Sequence, residues 1–351
     1  MHIIKIGGMS VEKAESSFTK GGRFIGKFGF TPLSIAMLFV LAIFPLVLQD
    51  EVITRLLISA LMLGALAMAF DFTAGFININ NFGYAAFWGV GAYTSALLAV
   101  KLGVSPWLGM LAGGILAGLL GLGLGFLTLR LAGIFASCMT WFVALAMFAV
   151  TANWVELTRG TSGLSVPPLF NTTGNIEYFY TILIMTVLTY VGLKVIIKSH
   201  IGTAFRAIGQ DLQAAQASGI NVTKYKIMNF TISCAIAGVL GGFYAHFVGI
   251  ITPTVMNTSH TVEVMVLSFV GGRGTIWGGL IAGLVMIPGM EYLKGLMELR
   301  LLIYGLLMIV VMIFFPSGLA GLYYKVVQFI RKNATLTKVK KEEKDVRRAG
   351  L

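Results

Sequence analysis

Charged residues make up only 11% of the 351-residue chain, and acids are the scarcer sign, 14 against 26 lysines and arginines. Soluble domains carry roughly 25% charged residues, so that class is excluded. Cysteine is nearly absent. Cys138 and Cys234 stand far apart, each inside an apolar run, which excludes a disulfide scaffold and a thiolate metal site. Histidine is as sparse: His2, His200, His246 and His260 share no ligand spacing. A nucleotide motif is missing too. Gly21 to Lys27 has the spacing of a P-loop, but Phe28 stands where the magnesium-binding Ser or Thr belongs, and no strand precedes it. A basic juxtamembrane turn fits better, and any ATP must be hydrolysed by another chain. What abounds is apolar side chain, 57% of residues with a mean hydropathy of +0.87, which rules out disorder and marks an integral membrane protein.

A crossing needs about 20 mostly apolar residues. Candidates run over 31–49, 53–71, 84–100, 107–128, 134–152, 178–197, 229–251 and 299–316. The stretch 262–292 is one kinked helix or two short ones, interrupted by Gly271-Gly272-Arg273-Gly274. Charge placement decides between them, because cytoplasmic loops are enriched in Lys and Arg. The segment before residue 31, the 194–228 loop and the tail after 322 are all basic. Only a split at Arg273 returns all three to one side, which also puts Arg130 there and leaves Arg55, Lys101, Arg159, Lys294 and Arg300 outside. The basicity is therefore a topology signal, and a nucleic-acid partner is not expected. The fold class that follows is an all-α polytopic membrane protein of about ten transmembrane helices. Residues 1–30 form a cytoplasmic N-terminal segment, 31–322 the transmembrane domain and 323–351 a basic cytoplasmic tail. Leu33–Leu48 lacks a small-x-small cleavage pattern and is expected to stay as an anchor helix.

Glycines recur at intervals of four: Gly109/Gly113, Gly114/Gly118, Gly121/Gly125, Gly238/Gly242 and Gly279/Gly283. That spacing lets helix backbones approach closely in lipid and predicts a tight bundle. Two polar interruptions say more. Residues 73–83 carry Asn78, Asn80 and Asn81 ahead of Tyr84, and residues 252–261 read Thr-Pro-Thr-Val-Met-Asn-Thr-Ser-His-Thr. In ten spans they occupy matching places in two four-helix units of opposite orientation, the pattern of a transport pathway built from inverted repeats. The competing reading is two ordinary surface loops, with the asparagines capping broken helices. Buried acids would favour an ion-coupled secondary transporter, but Asp71, Glu156, Glu263 and Glu291 all fall near predicted span ends.

In the long basic loop, Thr203–Ser218 is expected to be one amphipathic helix. Phe205, Ile208, Leu212 and Ala215 lie on one face, Arg206, Gln210, Asp211, Gln213 and Gln216 elsewhere, and Gly219 supplies a left-handed cap. The apolar face is small and the polar face not notably basic, so docking to a protein partner is favoured over lying on the bilayer.

Gln213-Ala214-Ala215, followed by Gly219, resembles the Glu-Ala-Ala-x-x-x-Gly loop with which permeases of binding-protein-dependent ABC importers engage their ATPases. The wider stretch Gly202–Asp211 through Gly219-Ile220-Asn221-Val222 and Tyr225-Lys226 resembles the branched-chain amino acid permease family, its M-type subunit in particular. So do Gly75 to Tyr93, the Leu129–Gly133 turn and Gly271 to Gly279. The resemblance implies a type II-like ABC importer permease in the bacterial inner membrane, with branched-chain amino acids, urea or a short amide as cargo. It implies a homologous second permease subunit, two cytoplasmic ABC ATPases holding ATP and Mg, and an extracytoplasmic solute-binding protein, with no cofactor in this chain. Arg206, Asp211, Gln213, Ala214, Ala215 and Gly219 would then couple to the ATPase. Asn78, Asn80, Asn81 and Tyr84 are candidates for the solute pathway. The family commonly has a hydroxyl residue and then Gly-His in the first break, where this chain has Asn81 and Gly83-Tyr84. Met139-Thr140-Trp141-Phe142 is likewise bulkier than the family's small run.

Overall fold

The computed structural model describes residues 50–128, 134–170 and 174–291, with isolated positions in 41–45 and 302–321. The chain divides into two units, Met1–Gln49 and Asp50–Leu351, and nearly all described residues belong to the second. Apart from those isolated positions, the expected spans 31–49 and 299–316 lie outside the described residues, as do the N-terminal segment, Arg130, Lys294, Arg300 and the basic tail.

The chain order is α1 (Glu51–Ala74), α2 (Tyr84–Leu102), α3 (Pro106–Thr128), α4 (Ile134–Asn153), the single turn α5 (Val155–Thr158), β1 (Leu164–Ser165) and α6 (Ile176–Lys198). Then come α7 (His200–Gln210), α8 (Leu212–Ala217), α9 (Val222–Val248), β2 (Ile250–Ile251), α10 (Thr258–Gly271) and α11 (Trp277–Glu291). Six of these, α1, α2, α3, α4, α6 and α9, are long and apolar enough to cross a membrane.

Asp50 starts α1 because its carboxylate accepts the N–H of Val52 at 2.8 Å, one of the donors a helix start leaves unpaired. From Ala60 to Ala74 every residue of α1 is buried, so this helix is the hub, covered on all sides. The four-spaced glycines do what their spacing predicts. A Cβ at Gly113 would stand 2.6 Å from the Gly91 carbonyl oxygen, and one at Gly91 2.0 Å from that of Gly238. Backbone packs on backbone where α2, α3 and α9 meet. The outer face of α3, with Leu108, Leu111, Ile115, Leu119 and Phe126, is exposed.

Two expectations change, and the division at Arg273 is met. The span placed at 229–251 begins at Val222, because Asn221 caps the helix by accepting the Lys224 N–H at 3.0 Å, which carries helix through Lys224 and Lys226. The stretch 262–292 is two helices, separated by a turn in which Gly272 and Gly274 have φ of 112° and 77°. These helices have 14 and 15 residues, each shorter than the six candidate spans. The amphipathic helix expected over 203–218 is two helices broken at Asp211, whose backbone is extended and whose carboxylate accepts the N–H groups of Gln213 and Ala214. An aspartate that caps a new helix ends the one before it.

Candidate functional site

The first polar break, 75–83, is held on both sides. At its start, buried Asp71 turns its carboxylate to the turn between α10 and α11, accepting the Gly274 N–H at 2.8 Å and the Ile276 N–H at 3.0 Å. Arg273 answers from that turn. Its Nε and Nη2 donate to the Ala74 carbonyl at 3.0 and 2.8 Å, and Nη2 also donates to Asn78 Oδ1. Ile276 sits at φ 59°, rare for a β-branched residue, and its amide bond to Asp71 helps hold it there. Gly75 is required at this junction, since a Cβ there would lie 2.5 Å from Asp71 Oδ1 and from Gly274 N.

The α7–α8 segment is seated on the same break. Gly209 is pressed to the backbone of Phe76, where a Cβ would come within 2.2 Å of the carbonyl oxygen. Phe205 packs edge-on to Phe72 at 5.4 Å, and the Arg206 guanidinium lies over the Phe76 ring at 5.8 Å. Ile208, Ala215 and Val222 form a small core with Ile220 and Tyr225. The apolar face of this segment is therefore filled by its own chain, which corrects the expectation that it faces a partner. Leu212, expected on that face, is exposed, because the break at Asp211 turns it out. What remains open is polar and small: Gln210, Asp211, Gln213, Ala214, Gln216, Ala217, Ser218 and Gly219 are all exposed. The segment ends in a full Schellman motif, with Gly219 at φ 81°, its N–H donating to Gln216 O and the Ile220 N–H to Ala215 O.

The asparagines divide into different roles. Asn78 holds Arg273 and has φ 59°. Asn81 is buried, accepts the Gly83 N–H at 3.1 Å and points its Nδ2 at Cys234 Sγ, 4.0 Å away. Tyr84 is buried too, donating to the Ser233 carbonyl at 3.3 Å with its ring edge-on to Phe70. Asn80 Oδ1 is buried without a hydrogen-bond partner among the described residues. The two breaks meet across the start of α2. Thr261 Oγ1 accepts the Ala85 N–H at 3.0 Å, and Val255 and Met256 pack where a Cβ on Gly89 would stand. α4 touches both breaks, through the Thr140 carbonyl against Gly83 and through Trp141, whose Nε1 donates to Thr258 Oγ1 at 3.0 Å. Of the run noted in this helix, Thr140 and Trp141 thus stand at the breaks. Among the described residues, no group of three or more His, Cys, Asp or Glu could hold a metal ion.

The sequence model of the family described as "Branched-chain amino acid transport system / permease component" matches residues 52–312. The chain belongs to this family. It is 26% identical over 282 residues to the high-affinity branched-chain amino acid transport system permease protein LivM of Salmonella typhimurium, covering 72% of this chain and 66% of LivM. It spans slightly less than two thirds of that relative's length. LivH of the same organism is 28% identical over 280 residues, 73% of this chain and 90% of LivH. A probable branched-chain amino acid transport permease protein LivH of Methanocaldococcus jannaschii is 25% identical over 285 residues, 75% of this chain and 90% of that protein. No solved structure matches. The family is one of transport permeases, and the chain is a multi-pass membrane protein.

Membership leaves several residues for the geometry to assign. Asp71 and Glu263 are both buried, at 1% and 5% exposure, although sequence position put them near span ends. Their burial means that sequence position no longer separates the chain from an ion-coupled transporter; the family match does. Asp71 was legible only as an acid in an apolar run. Its partners are backbone amides some 200 positions away, which no local pattern displays. His246 is also buried, with Nδ1 donating to the Pro167 carbonyl at 2.7 Å and Nε2 paired with Ser95 Oγ at 2.8 Å. It fastens α2 and α9 to the β1 loop, and no spacing signal marks it.

Proposed function

We propose that the chain is the permease subunit of an ABC importer for branched-chain amino acids in the bacterial inner membrane. It has about ten spans in two inverted four-helix units, both termini are cytoplasmic, and it pairs with a homologous permease. Two cytoplasmic ATPases bind ATP and Mg, and an extracytoplasmic protein delivers the solute. The observation that carries this is the α7–α8 segment. Its outer face is open and polar, while its inner face is locked to the first break through Gly209, Phe205 and Arg206. When the ATPases close, α8 moves with them. The push passes from Gly209 to Phe76, and through Asn78 and Arg273 to the turn between α10 and α11. The two broken elements, tied to each other by Asp71, Asn78 and Arg273, then shift together, which is what alternating access requires.

Urea or a short amide is the alternative cargo, and Asn80 is the observation that favours it. Its buried carbonyl oxygen lacks a partner among the described residues and would accept an amide N–H. Transport separates the two. The complex purified with its ATPases and binding protein, reconstituted in proteoliposomes, should accumulate leucine, isoleucine and valine only with ATP. Uptake of urea in their place would support the alternative, and ion-gradient-driven uptake without ATP would refute both.

A further inference from the structure

Beyond the first break, a second polar cluster lies deeper along α2. Trp88, 2% exposed, packs against Tyr244 of α9 with ring centroids 4.6 Å apart and the rings tilted by 51°, and meets His260 of α10 edge-on at 5.4 Å. His260 Nδ1 is 3.4 Å from the Glu263 carboxylate, which is also an electrostatic neighbour of Tyr244. Three helices thus bring one buried carboxylate and two large aromatic rings together. An acid inside a membrane domain is costly to desolvate and is retained where it meets a specific cation. Asp71, the other acid buried among the described residues, accepts from backbone amides, whereas Glu263 faces an imidazole and lies near aromatic rings.

A second observation is independent of the acid. Trp88 Nε1 is buried and has no hydrogen-bond acceptor among the described residues. Buried indole N–H groups are normally paired, so an orphan points to a partner absent from this conformation. One residue along α2, Gly89 leaves room that Met256 and Val255 fill, at 3% and 4% exposure. The cluster therefore offers an anion with aromatic faces, a lone donor, and an apolar wall side by side.

We propose that Trp88, Tyr244, His260 and Glu263 form a binding site for the transported amino acid itself. The ammonium group lies against the Glu263 carboxylate and the Trp88 and Tyr244 rings, displacing His260. The carboxylate takes the Trp88 Nε1–H, and the branched side chain lies on Met256 and Val255. Cation–π attraction in a desolvated site adds to the ion pair. The inference rests on the amino acid cargo argued above.

The test uses thermal unfolding of the purified permease–ATPase complex with millimolar leucine, 3-methylbutylamine (ammonium only) or 4-methylpentanoate (carboxylate only). Leucine and the amine raise the midpoint and the carboxylate does not. Glu263→Gln weakens leucine and amine at least ten-fold, whereas Trp88→Phe weakens leucine and spares the amine. Should Glu263→Gln not assemble, Tyr244→Leu replaces it and is expected to weaken the amine several-fold. Stabilisation by 4-methylpentanoate equal to leucine, or an unchanged leucine response in Glu263→Gln, overturns the site while leaving the cargo intact if the wild type transports leucine. A wild type that transports only urea or amides overturns cargo and site together.

Discussion

Replacing Asp71 by Ala should unlatch the turn between α10 and α11. The carboxylate accepts two backbone N–H groups, that of Ile276 fully buried and that of Gly274 partly so. Leaving a buried donor unpaired costs about 1–3 kcal/mol, and a partly buried one less, so the loss comes to about 2–4 kcal/mol. Much of it falls locally, because the bonds tie one turn to one helix end. A local opening made easier by about 3 kcal/mol is populated roughly a hundredfold more. Ile276, only 2% exposed, reports that opening once replaced by cysteine in a Cys138→Ala/Cys234→Ala background. The labelling rate of Ile276→Cys should rise by one to two orders of magnitude with Asp71→Ala. Asp71→Asn, which keeps one acceptor, should fall between. Equal labelling rates in all three proteins would show that the latch contributes nothing, and an Asn variant looser than Ala would contradict the acceptor argument.

Ala215→Glu places a carboxylate in the core formed by Ile208 and Val222, so it should lower the unfolding midpoint and the yield of folded protein, whereas exposed Gln213→Ala should change neither and reduce only ATPase co-purification. Arg273→Cys, in the same cysteine-free background, should react with impermeant thiol reagent only from the cytoplasmic side; labelling from outside in intact cells contradicts the ten-span topology.

Much of the bundle was legible because lipid imposes simple rules on sequence. Apolar length gave α1, α2, α3, α4 and α6 within a few residues, and the four-residue glycine period gave the close approach of α3 to α9. The glycine-rich interruption near Arg273 marked a real division. Local chemistry that competes with the apolar pattern was harder to see. Asp211 was counted as a polar position on one helix, yet its carboxylate caps a second helix and turns Leu212 outward. Asn221 likewise extends α9 through two lysines. The site was legible by neighbourhood and not by partner. Asn78 and Asn81 were singled out for their amides, but Asn78 accepts from Arg273 and Asn81 points its Nδ2 at Cys234, contacts that only the folded chain creates. Glu263 gave no signal at all, since one acid near a helix start looks like an interfacial charge until α2 and α9 close over it.

Coupling is the central claim, and Gly219 tests it most directly. Its φ of 81° closes the Schellman turn that shapes the open face of α8, and nothing lies within 4 Å of where a Cβ would be. A side chain there meets no neighbour, so strain alone is introduced, about 1–2 kcal/mol for an ordinary residue and more for a β-branched one. The measurement is leucine taken up per ATP hydrolysed, in proteoliposomes holding the complete complex. Gly219→Val should lower that ratio several-fold, and Gly219→Asn, which tolerates the left-handed conformation, should stay close to wild type. A ratio unchanged in Gly219→Val, or lowered equally in both variants, would contradict the account.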